Sequence, residues 1–240
     1  MLSYAFVYDD QVFILENPRI TSWSSLPQFF TQQLVAHAHP DQPGNYYRPF
    51  LLVWLLLNRK LWGLNAVGWH FSTLTLHVLV TLSVYLLARR MLRERFAAGL
   101  AALIFAVHPV HVESVAWVMG FPDPLLALLV VTSFLCFLNA RDATRSSAVT
   151  WSAGSLLLYA LAILTKEPGI VLPGLVATFE WISCDESARS RGRTRLRACL
   201  ARVAPYLFLT AIYLVVRVMV LKGFSQTPTP MSVGTFLATL

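Results

Sequence analysis

Phe6-Val7-Tyr8-Asp9-Asp10-Gln11 sets two adjacent carboxylates behind an apolar lead. A carboxylate within hydrogen-bond reach of a hydroxyl can take its proton as that oxygen attacks. Neighbouring side chains in extended chain point opposite ways, so one acid faces a reacting group. The other holds a loop or helps bind a divalent metal. Asp9 and Asp10 are equal candidates for the base, against the plainer reading of two solvated acids capping a helix. For an anionic group such as a phosphate, the candidates are Arg217, Lys166 and Arg48. Arg217 lies inside an apolar run, where a guanidinium is costly unless it is paired, faces a polar cavity or snorkels to the headgroups. Its planar fork suits phosphate. Lys166 adjoins Glu167, so a local ion pair is the plainer reading. Arg48, in "YYRPF", also reads as a structural residue of its loop. His108, His111 and Glu113 in "HPVHVE" could ligate zinc, but Pro109 between them favours a hydrogen-bonded cavity wall, together with Asp123 and Glu167.

These residues need a scaffold, and composition says which kind. The chain has 240 residues, 56% hydrophobic and only 13% charged. A soluble domain carries about a quarter charged residues. Mean hydropathy is +0.59. The expected class is an all-α polytopic membrane protein. Twelve acids against nineteen bases give a net charge of +7, which a membrane reading absorbs without nucleic acid. Cys136, Cys184 and Cys199 show no metal or disulfide spacing.

A spanning helix needs roughly 20 apolar residues. Clear spans are expected at 66–88, 168–183 and 203–221, with shorter ones at 97–112, 123–139 and 149–164. The expected division is therefore an external segment 1–65 with interfacial helices, a bundle of about six helices over 66–221, and a loop and helix start over 222–240. "RPFLLVWLLLNRKLWGL" is apolar for about nine residues before Asn58-Arg59-Lys60. That is too short to span, and Trp54 and Trp62 suit a helix in the headgroup plane. Pro and Gly mark "HPDQPGNYYRP" as turn and loop.

Alternate connections hold Arg89, Arg90, Arg93, Arg95, Arg141, Arg145, Arg189, Arg191, Arg193, Arg195, Arg197 and Arg202, which is 12 of the 19 bases. The positive-inside rule puts these connections in the cytoplasm. "YDD", "HPVHVES" with "GFPD", "TKEPG" and "KGFSQTPTP" then share the other side, where a site is expected. Glu180, deep in an apolar run, is expected to pair with the basic loop near it. His70 and His77, seven residues apart, share a stripe facing the bundle and read as helix–helix hydrogen bonding.

"FVYDDQVFILENP", "YYRPF", "GLNAVGWHFSTLTLHVLV", "HPVHVESVAWVMG" and "LTKEPGIVLP" together resemble the GT-C class of multi-spanning glycosyltransferases. Within it the likeness is to the transmembrane, tetratricopeptide-containing O-mannosyltransferases and their bacterial relatives. The resemblance runs from Phe6 to about Gly223. It implies a GT-C-like helical bundle with a large first external loop bearing an acidic pair. It implies an inverting transfer of a hexose, mannose first, from a polyprenyl-phosphate carrier to Ser/Thr hydroxyls of a protein. Implied partners are the lipid-linked sugar donor, the protein acceptor and membrane lipids. A divalent metal is an open possibility. The implied place is the bacterial inner membrane, or the endoplasmic reticulum membrane in a eukaryote, with the site on the non-cytoplasmic face. Carried over, the acidic pair is Asp9-Asp10. The family's first helix and its tetratricopeptide array have no counterpart in these residues, so a fragment is expected. Where many bacterial relatives have a base after the Gly of "VMG", this chain reads Gly120-Phe121-Pro122-Asp123.

Two rivals stand beside this reading. A transporter would also put ionisable groups near an external cavity, but inverted repeats would accompany it and none is visible. A non-catalytic scaffold, a degenerate or truncated relative, would keep the bundle without the reaction.

Overall fold

Apolar runs place the long helices, and prolines and polar caps end them. The computed structural model describes residues 5–38, 44–183 and 192–223. The turn expected across 39–43, Asp41 with it, Cys184, the bases Arg189 and Arg191, and the segment 224–240 with its loop and helix start lie outside the described residues. So do the side chains of Arg193 and Arg195.

The nine described helices are α1 (Leu26–Thr31), α2 (Pro49–Trp62), α3 (Ala66–Leu92), α4 (Arg95–Val107), α5 (Val112–Ala116), α6 (Pro122–Asp142), α7 (Arg145–Thr165), α8 (Val171–Ser183) and α9 (Gly192–Leu221). Short 3-10 turns join several of them, and no strand occurs among the described residues. Among the described residues, four stretches are long and apolar enough to cross a membrane: Ala66–Leu92, Val118–Asp142, Arg145–Thr165 and Cys199–Leu221. A fifth exists if α4 and the Pro109–Ala116 piece, bent by 47°, count as one broken span. The bend sits where Pro109 removes a backbone donor and pushes His108 into extended geometry, φ −66° and ψ 129°.

The lengths correct the expectation in both directions. The stretch 168–183, expected as a clear span, starts with a 3-10 turn at Glu167–Ile170. Only 13 residues of α8 follow, about 20 Å of helix against a hydrocarbon core of about 30 Å. The windows 123–139 and 149–164 belong instead to 21-residue helices, α6 and α7. α6 continues through polar Asn139, Arg141 and Asp142 because each has a partner. Arg90 of α3 donates to Asn139 Oδ1 and the Leu138 carbonyl, both at 2.8 Å, and forms an ion pair with Asp142. Buried Glu180 accepts from Arg202 at 2.6 Å and lies 3.8 Å from Arg141 Nε. This is the pairing expected of it.

Inside the bundle several hydroxyls satisfy one another, as a bilayer favours. Ser133 and Ser155 donate to each other's carbonyls at 2.7 Å, tying α6 to α7. Tyr206 meets Ser155 at 2.6 Å, and Tyr159 pairs with Thr210, tying α7 to α9. Outward-facing Phe71, Val78 and Leu82 of α3, and Leu207, Phe208, Val215 and Met219 of α9, are exposed and suit contact with lipid.

α2 is part of the protein's own core. Leu51, Leu52, Leu55 and Leu56 recur at helical spacing and are fully buried in one core with Ile14, Ile20, Phe29, Trp69, Val118 and Phe121. Arg19 fixes the preceding loop by donating to the carbonyls of Gln28, Gln33 and Leu34. Burial pulls its pKa below the ordinary arginine value. Residues 5–38 and 44–62 thus form a cap packed on one end of the bundle, and its core holds the segment that carries the acidic pair.

Candidate functional site

The pair does not sit in extended chain. Val7 to Asp10 is a tight turn, with Asp10 N–H donating to the Val7 carbonyl at 3.1 Å. Tyr8 takes φ +51° within it, an uncommon conformation for a residue with a side chain. A π-helical turn, Gln11–Leu15, follows. The two acids nevertheless diverge as expected. Asp10 is fully buried and Asp9 is exposed.

Asp10 joins two remote stretches. Its Oδ2 accepts the Val7 N–H at 2.9 Å and its Oδ1 accepts the Met119 N–H at 3.0 Å. Burial raises its pKa; the two N–H groups and nearby His70 pull the other way, and Asp9 adds to the rise. The Met119 contact depends on Gly120. A β-carbon there would stand 2.8 Å from Ser114 Cα and 2.9 Å from the Glu113 carbonyl oxygen, both backbone atoms. Gly120→Ala is therefore expected to lower stability by about 1–3 kcal/mol, read by thermal unfolding in detergent. An unchanged melting temperature would mean the turn has room to shift.

Two adjoining cavities flank the acids. One, of about 340 Å³, is lined by Val7, Asp10, His70, Trp117 and Val118. The other, of about 450 Å³, is lined by Val7, Tyr8, Asp9, Glu113, Ala116 and Trp117. Trp117, extended between α5 and the Val118–Gly120 turn, belongs to both walls. Its buried indole N–H has no hydrogen-bond partner among the described residues. Sequence reasoning missed Trp117 and His70 as lining residues. The quoted "HPVHVESVAWVMG" contains Trp117, yet nothing in the spacing marks it.

The cations form a neighbouring cluster at the same end. Arg48 gives Nε and Nη2 to Glu167 Oε2 at 3.0 and 2.6 Å and stacks 4.4 Å from the Tyr46 ring centre. Lys166 pairs with Asp123, not with adjacent Glu167. Arg217 Nη2 donates to the Asn45 carbonyl at 2.8 Å. Among the described residues, none of these three lines either cavity. Of the expected wall residues, Glu113 lines one cavity; His108, His111, Asp123 and Glu167 line neither. His108 Nδ1 accepts the Val110 N–H at 3.2 Å and caps the turn at the bend. His111 packs 4.3 Å from Phe105 and 5.5 Å from His77, ring centre to ring centre. His77 lies 3.0 Å from the Ala106 carbonyl, a link between α3 and α4. No group of three or more His, Cys, Asp or Glu among the described residues is placed to hold a metal ion.

Residues 45–227 match the family described as dolichyl-phosphate-mannose-protein mannosyltransferase. Protein O-mannosyl-transferase TMTC3 of Homo sapiens is 25% identical over 238 residues, covering 93% of this chain and 26% of that protein. Protein O-mannosyl-transferase TMTC1 of Homo sapiens is 32% identical over 188 residues, covering 74% of this chain and 21% of that protein. For TMTC4 of Homo sapiens the figures are 32% over 194 residues, 73% and 26%. The chain thus spans about a quarter of the length of these relatives. No solved structure matches it. The match covers the bundle from the cap's last helix through the final span, and the chain, a multi-pass all-α membrane protein, belongs to the dolichyl-phosphate-mannose-protein mannosyltransferase family.

Proposed function

We propose that the protein moves mannose from a polyprenyl-phosphate carrier to Ser/Thr hydroxyls of a protein acceptor, with inversion, on the non-cytoplasmic side, and that Asp9 is the general base. The observation that carries the reading is the unequal state of the two acids. Asp10 is buried, and each of its oxygens already holds a backbone N–H. Asp9 is exposed on the wall of the larger cavity, beside Glu113. A hydroxyl can reach Asp9; Asp10 keeps the turn that presents it.

In the proposed step the acceptor oxygen loses its proton to the Asp9 carboxylate as its bond to the anomeric carbon forms. The bond from that carbon to the phosphate oxygen breaks, and the phosphate leaves with the electron pair. One displacement inverts the centre. Arg48, Lys166 and Arg217 are the proposed stabilisers of the leaving phosphate. Arg48 and Lys166 would exchange Glu167 and Asp123 for it. The sidedness rests on the basic connections, which the positive-inside rule assigns to the cytoplasm. Product whose anomeric configuration matches the donor's, read by NMR, would exclude the single displacement.

Trp117 fits a sugar-binding role in this scheme. A buried donor without a partner costs about 1–3 kcal/mol, and a hexose hydroxyl would satisfy it. Trp117→Phe keeps an aromatic face and removes the N–H. It is expected to raise the donor KM about fivefold, one hydrogen bond's worth, with kcat little changed. An unchanged KM would take the indole N–H out of donor recognition.

A further inference from the structure

The opposite end of the bundle holds a second polar site. A cavity of about 490 Å³ lies there, lined by Arg90, Arg93 and Arg141 with Asp142, Phe179 and Ser183. That volume is ordinary for a small-molecule site. We infer that this cavity binds a phosphate group, either on the headgroup of an anionic lipid or as a free phosphate monoester. The proposal is independent of mannosyl transfer.

Three features support it. The guanidiniums come from α3 (Arg90), the residue that closes it (Arg93) and α6 (Arg141), and two of them are held in place. Arg90 is fixed by Asn139, the Leu138 carbonyl and Asp142. Arg141 donates to the Ser183 carbonyl at 3.3 Å and lies 5.2 Å from the centre of the Phe179 ring. The carbonyls and the ring add no charge of their own; Asp142 and, at 3.8 Å, Glu180 are the carboxylates beside Arg90 and Arg141 among the described residues. Arg93 is exposed, at the left-handed residue that closes α3 with φ +57°, and has no ion pair among the described residues.

The second feature is charge. Asp142 is the one carboxylate on the cavity wall among the described residues. Glu180, behind it, is shared by Arg202 and Arg141. Arg90, Arg93, Arg141 and Arg202 against Asp142 and Glu180 leave two positive charges. Arginine forks match phosphate oxygens in pairs, and basic pockets between spanning helices suit phospholipid headgroups. The third feature is the surroundings. Met91, which lines the cavity, and Leu92, Trp181 and Ile182, within two residues of lining positions, are exposed. They suit acyl chains beside the headgroup, which favours the lipid source. Basic anchoring alone needs arginines anywhere on the rim; it does not need a walled cavity.

The test uses the protein purified in neutral detergent, with phosphatidylglycerol, phosphatidylcholine and glycerol 3-phosphate as separate probes. Native mass spectrometry counts retained lipid, and thermal unfolding reads stabilisation. Phosphatidylglycerol is expected to be retained over phosphatidylcholine and to raise the melting temperature. Arg93→Gln, an exposed change, is expected to cut that preference about fivefold. Arg93→Gln with Arg141→Gln is expected to remove it. Stabilisation by glycerol 3-phosphate that is lost in the same variants would support a soluble phosphate as the source; phosphatidylglycerol acting alone would support the lipid. Equal retention of both lipids with no response to glycerol 3-phosphate would overturn the proposal. So would a phosphatidylglycerol preference equal in wild type and both variants.

Discussion

Asp9→Asn is expected to cut sugar transfer by about 10²–10⁴-fold while the melting temperature stays where it was. Both halves follow from the site. Asp9 is exposed, and its side chain makes no hydrogen bond among the described residues. Asn has nearly the same shape, so the Val7–Asp10 turn survives the exchange. An amide cannot accept the hydroxyl proton, so the chemical step loses its base. Asp9→Glu keeps a carboxylate, and is expected to retain more activity than Asp9→Asn. Transfer that is untouched in Asp9→Asn but lost in Asp10→Asn, with both proteins folded, would move the base to Asp10.

Asp10→Ala is the second large effect, and it falls on stability. Removing the carboxylate leaves the Val7 and Met119 N–H groups without their acceptor, and the Met119 contact is fully buried. Orphaning a buried donor costs about 1–3 kcal/mol. Relief from burying a charge offsets part of the sum. A net loss of about 1–3 kcal/mol is expected near neutral pH, with a weakened hold between the first turn and Val118–Gly120. The pH dependence has a definite sign. Burial raises the Asp10 pKa above its ordinary 3.8, so the folded protein binds a proton more readily than the unfolded chain. The stability this confers is complete below 3.8 and is lost as pH rises through the folded value. The gap between wild type and Asp10→Ala should therefore widen as pH is lowered through that window. A constant or narrowing gap in thermal unfolding from neutral to acid pH would contradict this environment for Asp10.

Much of the scaffold could be read from the chain because hydropathy and charge are local properties. Spanning helices and the pairing of Glu180 with basic residues follow from runs and neighbours, whereas the expected span 97–112 runs across the break at Pro109. Lengths were harder to see. Asn139, Arg141 and Asp142 look like the end of a span until Arg90, some fifty residues away, is placed against them. Ion-pair partners were misjudged for the same reason. Lys166 and Glu167 adjoin, but Lys166 is extended, φ −158° and ψ 141°, while Glu167 opens a 3-10 turn. Their side chains part, Lys166 toward Asp123 and Glu167 toward Arg48. The difference between Asp9 and Asp10 was illegible because it depends on Met119, 109 residues on. Trp117 carries no spacing signal; its position between two cavities exists only once the chain has folded.

The most direct test is transfer itself, in membranes containing the protein, from polyprenyl-phosphate-[14C]mannose to a Ser/Thr-bearing acceptor. The expected result is label in protein, released by mild alkali as an O-linked sugar, and nearly abolished by Asp9→Asn at undiminished protein level. No label in protein from mannose or other hexose donors, with the bundle intact, would contradict the central claim and leave a non-catalytic membrane scaffold as the better account.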